Sequence, residues 1–240
     1  MPDSGDGAKR ADLVRLAMLV GIAVIASGGI GYASDEARAG SVQAIVGIGV
    51  TYLVLGAGAV AFGVRNRLLG RWLVPRGGDL TRGFLAALVL FACAFGIVKL
   101  MTMHQSPRAA WMAHLYLQLG DPKLLRQHQG WVGLVIFVFA TLEELVWRGW
   151  ATSLLESLTS TRAAWIASAL LYALAHLPTL WALSDTTVGK NPMVILAALG
   201  AGLVWAAMAR VFGRLGPSII SHALFDWAVL MMFRLWGPSV

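Results

Sequence analysis

The sequence predicts an all-α fold: a polytopic membrane bundle of about seven transmembrane helices with a short interfacial helix. Three observations carry that expectation. The 240 residues are 58% apolar and only 13% charged, whereas soluble domains are about 25% charged. The mean hydropathy is +0.71. Apolar runs of about 20 residues, each long enough to cross a hydrocarbon core, alternate with polar breaks. The alternating ten-residue strands of an outer-membrane barrel are not seen.

Seven spans are expected, near 13–33, 42–64, 83–103, 131–153, 162–183, 192–211 and 217–236. The first follows Lys9 and Arg10 and ends in Gly31-Tyr32-Ala33, which resembles a signal-peptidase site. Its apolar stretch is longer than the 7–15 residues of a signal sequence, so an uncleaved anchor is expected. The segment 104–130 is too polar to span. Within it, residues 107–119 suit a short helix begun by Pro107 and broken by Gly120-Asp121-Pro122. Trp111 and Tyr116 fit such a helix at the headgroup level, as a passive interfacial element or a substrate lid. The chain divides into an N-terminal three-span region with the interfacial segment, 1–130, and a four-span core, 131–236.

Basic residues set the orientation. With the N-terminus inside, the inner loops hold Lys9, Arg10, Arg15, Arg65, Arg67, Arg71, Arg76, Arg82, Arg162, Arg210 and Arg214. The outer loops hold Arg38, Arg108, Lys123, Arg126, Lys190 and Arg234. Lys99 and Arg148 fall within spans. The 11-to-6 imbalance predicts a cytoplasmic N-terminus and an external C-terminus. It also accounts for the net charge of +7 without nucleic acid. An Ala-, Gly-, Leu- and Arg-rich composition points to the inner membrane of a bacterium with a GC-rich genome. Cys93, the one cysteine, lies in an apolar run and cannot form an intrachain disulfide.

Glu143 and Glu144 stand side by side in the fourth span. Each carboxylate costs roughly 2.5–3.5 kcal/mol on insertion scales, so partners or a task are needed. Arg148, four residues after Glu144, shares its helix face and would hold it ionised. Glu143 is rotated by about 100° and cannot share that arginine equally. It is the freer carboxylate and the candidate general base. Tyr172 and His176 lie one turn apart on the fifth span, and His222 and Asp226 four apart on the last. Any one of these is more simply a satisfied core group. Six such groups on three spans point instead to a common polar cavity. His104, His114 and His128 fall in the outer loop and are expected to be structural.

At these residues the sequence resembles the CPBP family of intramembrane proteases, also called the CAAX-protease and bacteriocin-processing family. The family motif Glu-Glu-x-x-x-Arg is matched by Glu143, Glu144 and Arg148. Phe-x-x-x-His is matched, with Tyr for Phe, by Tyr172 and His176. The third motif, His followed four residues later by Asn or a related residue, is met by His222 and Asp226. The resemblance covers roughly 131–236 and implies a glutamic-type endopeptidase without a metal cofactor. Glu143 and His176 would activate water, His222 and Asp226 would stabilise the oxyanion, and Glu144, Arg148 and Tyr172 would orient the site. The partner would be a membrane-associated protein or peptide substrate, such as a C-terminal anchor or a processed peptide. Asp226 departs from the common asparagine: an ionised aspartate accepts hydrogen bonds and cannot donate to an oxyanion. Asp226 is therefore either protonated or holds His222 as the imidazolium.

Three other readings compete. Zinc could take two histidines and a glutamate, although the His-Glu-x-x-His helix signature is missing. A non-catalytic immunity or scaffold protein would not need the full polar set. A proton-coupled transporter would be expected to show repeated halves or broken helices.

Overall fold

The computed structural model of the chain describes residues 4–103 and 106–232. Among these the architecture is all-helical, apart from an isolated antiparallel bridge between Asp185 and Gly189. The first half contains α1 (Ser4–Ala33), α2 (Val42–Arg65), a short α3 (Leu69–Leu73) and α4 (Asp79–Met101). Two short helices follow, α5 (Ala109–Leu119) and α6 (Pro122–Gln127), and then α7 (Gln129–Glu144). A π-helical segment, Leu145–Ala151, leads into α8 (Thr152–Leu158). The chain continues through α9 (Thr161–Ala175), α10 (Thr179–Ala182), α11 (Met193–Phe212) and α12 (Gly216–Met231).

Six helical stretches are long and apolar enough to cross a membrane: Gly7–Ala33, Val42–Arg65, Asp79–Met101, Gln129–Leu158, Thr161–Ala182 and Met193–Phe212. The chain is an integral membrane protein. The expected seventh span coincides with α12, whose 16 described residues reach about 24 Å, short of the roughly 30 Å hydrocarbon core. Residues 233–236 of that expectation lie outside the described residues, as do His104 and Arg234. The span expected at 83–103 begins earlier, at Asp79, because Gly78 takes a left-handed turn (φ 86°) that lets Asp79 open the helix.

The bundle is apolar outside and mixed within. Leu19, Ile22, Ala26 and Ile30 line one face of α1 and are buried, whereas Leu13, Leu16, Val20 and Val24 are exposed. This helical spacing sets α1 against α2 and α9. Helix α12 packs between α4 and α7, and α11 lies along α9. The start of α12 is pinned from two sides. Leu215 N–H donates to the Trp72 carbonyl at 2.9 Å, and the buried Arg214 grips the buried Asp79 through Nε and Nη2. These contacts fix the register at which α12 presents His222.

One expectation for the outer segment needs correction. Helix α5 begins at Ala109, because Ser106 and Pro107 form tight turns before it. Trp111 and Tyr116 face inward and are buried in the protein rather than exposed on the surface of α5. Trp111 donates to the Gly189 carbonyl at 3.2 Å and accepts from Asn191 Nδ2 at 3.0 Å through its own carbonyl. Tyr116 packs with Val98 and Met112. Gly120 ends α5 with φ 88°, and Asp121 then caps α6, whose first residue is Pro122.

Candidate active site

The site begins with a fault in a helix. From Leu145 to Ala151 the backbone widens into π-helical turns. The Trp147 carbonyl accepts from Thr152 N–H, from Thr152 Oγ1 at 2.8 Å, and from Ser168 Oγ on α9 at 2.7 Å. Hydroxyls from the helix itself and from its neighbour thus take over acceptor capacity that a regular α-helix would satisfy alone. Such bulges alter the aim of side chains and recur at functional sites. Here the bulge immediately follows the adjacent glutamates and contains Arg148.

Glu144 is completely buried. Its Oε1 lies 3.1 Å from Arg148 Nη1 and 3.1 Å from His222 Nδ1. One carboxylate oxygen therefore ties the α7 end, the π segment and α12 together. Arg148 is held further by donating from Nη2 to the Gly202 carbonyl at 3.2 Å. Its guanidinium lies over the rings of Tyr172 and Trp205, 4.5 and 5.3 Å from their centroids. Gly202 makes this approach possible. A Cβ there would meet Tyr172 at 3.0 Å and Arg148 Nη2 at 3.3 Å.

Glu143 has a different environment. Its side chain keeps 15% exposure against 0% for Glu144, so it alone of the pair can be reached. Oε2 accepts the Tyr172 hydroxyl at 3.0 Å and stands 3.6 Å from His222 Nε2. The Tyr52 hydroxyl on α2 also faces this carboxylate and accepts from Trp147 Nε1 at 3.5 Å.

The two histidines are oriented by opposite kinds of partner. His176 caps the end of α9, and its Nδ1 lies 2.9 Å from the Tyr172 carbonyl. A carbonyl only accepts, so Nδ1 carries a proton, and the Nε2 lone pair is the one the ring offers in its neutral form. His222 has carboxylates at both nitrogens: Glu144 at Nδ1, and at Nε2 Asp226 (3.4 Å) and Glu143 (3.6 Å). The Nδ1 contact is a sound hydrogen bond, whereas both Nε2 contacts exceed the usual 2.7–3.2 Å. Trp205 stacks on the His222 ring at 3.7 Å and 17°, and donates to Ser221 Oγ at 3.1 Å.

The structure thus brings Glu143, Glu144, Arg148, Tyr172, His176, His222 and Asp226 into one cluster on α7, the π segment, α9 and α12. Of the outer-loop histidines within the described residues, His114 pairs with Asp185 at 3.3 Å and His128 sits at the α6–α7 junction. Tyr52, Trp205, Gly202 and Ser168 join the site without having been singled out in the sequence. Tyr52 carried a usable signal: a polar hydroxyl ten residues into the span that begins at Val42, roughly 15 Å deep and well below an interfacial aromatic belt. Among the described residues, no three His, Cys, Asp or Glu side chains are arranged to hold a metal.

No curated protein and no solved structure matches the chain. A family model described as type II CAAX prenyl endopeptidase Rce1-like does match, over residues 127–228. That interval runs from the end of α6 to the second turn beyond His222 and contains all seven clustered residues. Residues 127–228 form a domain of the Rce1-like type II CAAX prenyl endopeptidase (CPBP) family, a family of intramembrane proteases.

Proposed function

We propose that the chain is an intramembrane endopeptidase that cleaves a peptide bond of a membrane-associated protein or peptide with water activated by Glu143. The unequal exposure of the two adjacent glutamates carries this reading. Glu144 is sealed by Arg148 and His222 and serves as a positioning residue, whereas Glu143 can reach a water molecule. Glu143 takes the proton as the water oxygen attacks the scissile carbonyl, and His176 Nε2 orients that water through its lone pair. The carbonyl oxygen gains negative charge in the tetrahedral intermediate. The His222 Nε2–H, held loosely by its two carboxylates, turns to this oxygen and stabilises it. Asp226 keeps the ring protonated for that task and does not itself contact the oxyanion. Collapse of the intermediate returns the proton from Glu143 to the leaving amine.

In this reading His222, with a carboxylate at each nitrogen, carries two N–H donors, and Glu143 alone activates the water. The test compares membrane-protein termini by mass spectrometry in cells producing the wild-type protein or Glu143→Gln. New termini are expected with the wild type alone, because losing a general base costs about 10²–10⁴-fold in rate. Equal sets of termini, with both proteins present in the membrane, would remove Glu143 from the reaction.

A further inference from the structure

A cavity of about 1050 Å³ opens at the end of the bundle where α1 and α9 begin and α2 and α11 finish. Its wall carries Arg10, Arg15, Arg65, Arg71, Arg210 and Arg214, against a single acidic residue, Glu156. Topology explains why arginines gather at one membrane face. It does not explain why six of them surround one hollow. Two are already engaged: Arg15 pairs with Asp12, and Arg214 with Asp79. Arg10, Arg65 and Arg210 are exposed, and none makes a carboxylate pair among the described residues.

The floor of the cavity is a second, independent observation. Arg148 lines it, although it lies ten residues inside the Leu158 end of its span, roughly 15 Å from that end. Arg148 is only 4% exposed, yet its Nε has no hydrogen-bond partner. The Trp165 indole N–H, on the same wall, is also buried without a partner. Buried donors left unpaired cost about 1–3 kcal/mol each, more for a charged group. A cationic rim above unpaired donors calls for an anion with several acceptor oxygens.

We propose that this cavity binds a phosphate group carried by an anionic phospholipid. The membrane supplies such groups at the depth of the rim. The exposed Val14 and the neighbouring Met18, both on the wall, offer an apolar path for acyl chains beside α1. Arg148 at the floor also pairs with Glu144, so the cavity below the bound headgroup leads to within one residue of the Glu144–His222 contact.

The full chain, purified in neutral detergent, is titrated with dioleoyl phosphatidylglycerol, dioleoyl phosphatidylcholine or inorganic phosphate. Bound lipid is read by native mass spectrometry and stability by the apparent Tm. Phosphatidylglycerol should be retained and raise Tm by about 5 °C over phosphatidylcholine, as expected for a ligand well above its Kd. The double variant Arg65→Gln, Arg210→Gln should cut that retention about tenfold, a loss of roughly 1.4 kcal/mol in binding. Arg65→Lys with Arg210→Lys, which keeps the charge, and Lys123→Gln at the opposite end should both bind near wild-type levels. Equal retention of the two lipids, or undiminished phosphatidylglycerol binding by the double glutamine variant, would overturn the site. Equal stabilisation by millimolar inorganic phosphate would overturn the lipid as its source.

Discussion

Glu144 Oε1 lies 3.1 Å from His222 Nδ1 and 3.1 Å from Arg148 Nη1, with all three side chains almost wholly buried. One oxygen therefore sets the position of a cation on its own helix and of a histidine on another. Glu144→Gln would leave Arg148 charged without its counterion. Breaking one side of a buried ion pair costs about 3–5 kcal/mol. We expect Glu144→Gln to lower the apparent Tm clearly, and the double variant Glu144→Gln, Arg148→Met to recover much of the loss by removing the orphaned charge. Activity should stay low in both, because His222 has lost its anchor. Unfolding of Glu144→Gln at the wild-type temperature would show that the pair does not hold the site together.

Tyr172 tests the separate role of Glu143. Its ring packs edge-on against Trp147 and His176, at centroid distances of 5.6 and 4.7 Å, and its hydroxyl donates to Glu143. Tyr172→Phe removes the hydroxyl and leaves the ring. Hydrogen bonds to charged groups contribute about 1.5–3 kcal/mol, so a roughly tenfold fall in kcat/KM with little change in Tm is expected. Unchanged turnover together with unchanged Tm would assign Tyr172 to packing alone.

The membrane class and the membership of the cluster were legible in the sequence because polar groups in apolar spans are costly and therefore few. The spacing of Glu144 to Arg148 and of His222 to Asp226 also survived translation into geometry. The π segment was not legible. It depends on Ser168, a residue on another helix, reaching the Trp147 carbonyl, and no local pattern encodes that. Gly202 was invisible for a similar reason: one glycine among many in apolar runs shows its purpose only when Arg148 and Tyr172 close on it. The last span was expected at 217–236, and α12 covers it from Gly216 to Met231, with 233–236 outside the described residues. The burial of the α5 aromatics was not legible from their residue type, because the partners of Trp111, Gly189 and Asn191, lie about eighty residues away in the chain.

Asp226 is the more exposed partner of His222, with a side chain 38% accessible and its Oδ2 3.4 Å from Nε2. An amide oxygen can accept the same N–H and hold the ring in place, while Glu143 and Glu144 remain beside it to keep it protonated. Asp226→Asn should therefore retain activity within about tenfold, consistent with a partly solvated pair contributing around 1 kcal/mol. Asp226→Leu, which cannot accept, should lose considerably more. Equal losses in the two variants would point to a requirement for the negative charge itself.

The arginine-walled cavity opens at one end of the bundle, so orientation decides which compartment it faces. We expect that end to be cytoplasmic, from the imbalance of basic residues across the membrane. Ala175 and Ala223 beside the histidines are buried and unsuited to labelling. Asn66, exposed just beyond α2, and Lys123, exposed at the start of α6, mark the two faces without disturbing the site. In a Cys93→Ser background, a membrane-impermeant maleimide added to intact cells should label Lys123→Cys at once. It should reach Asn66→Cys only after the membrane is opened. The reverse order would place the cavity on the outer face.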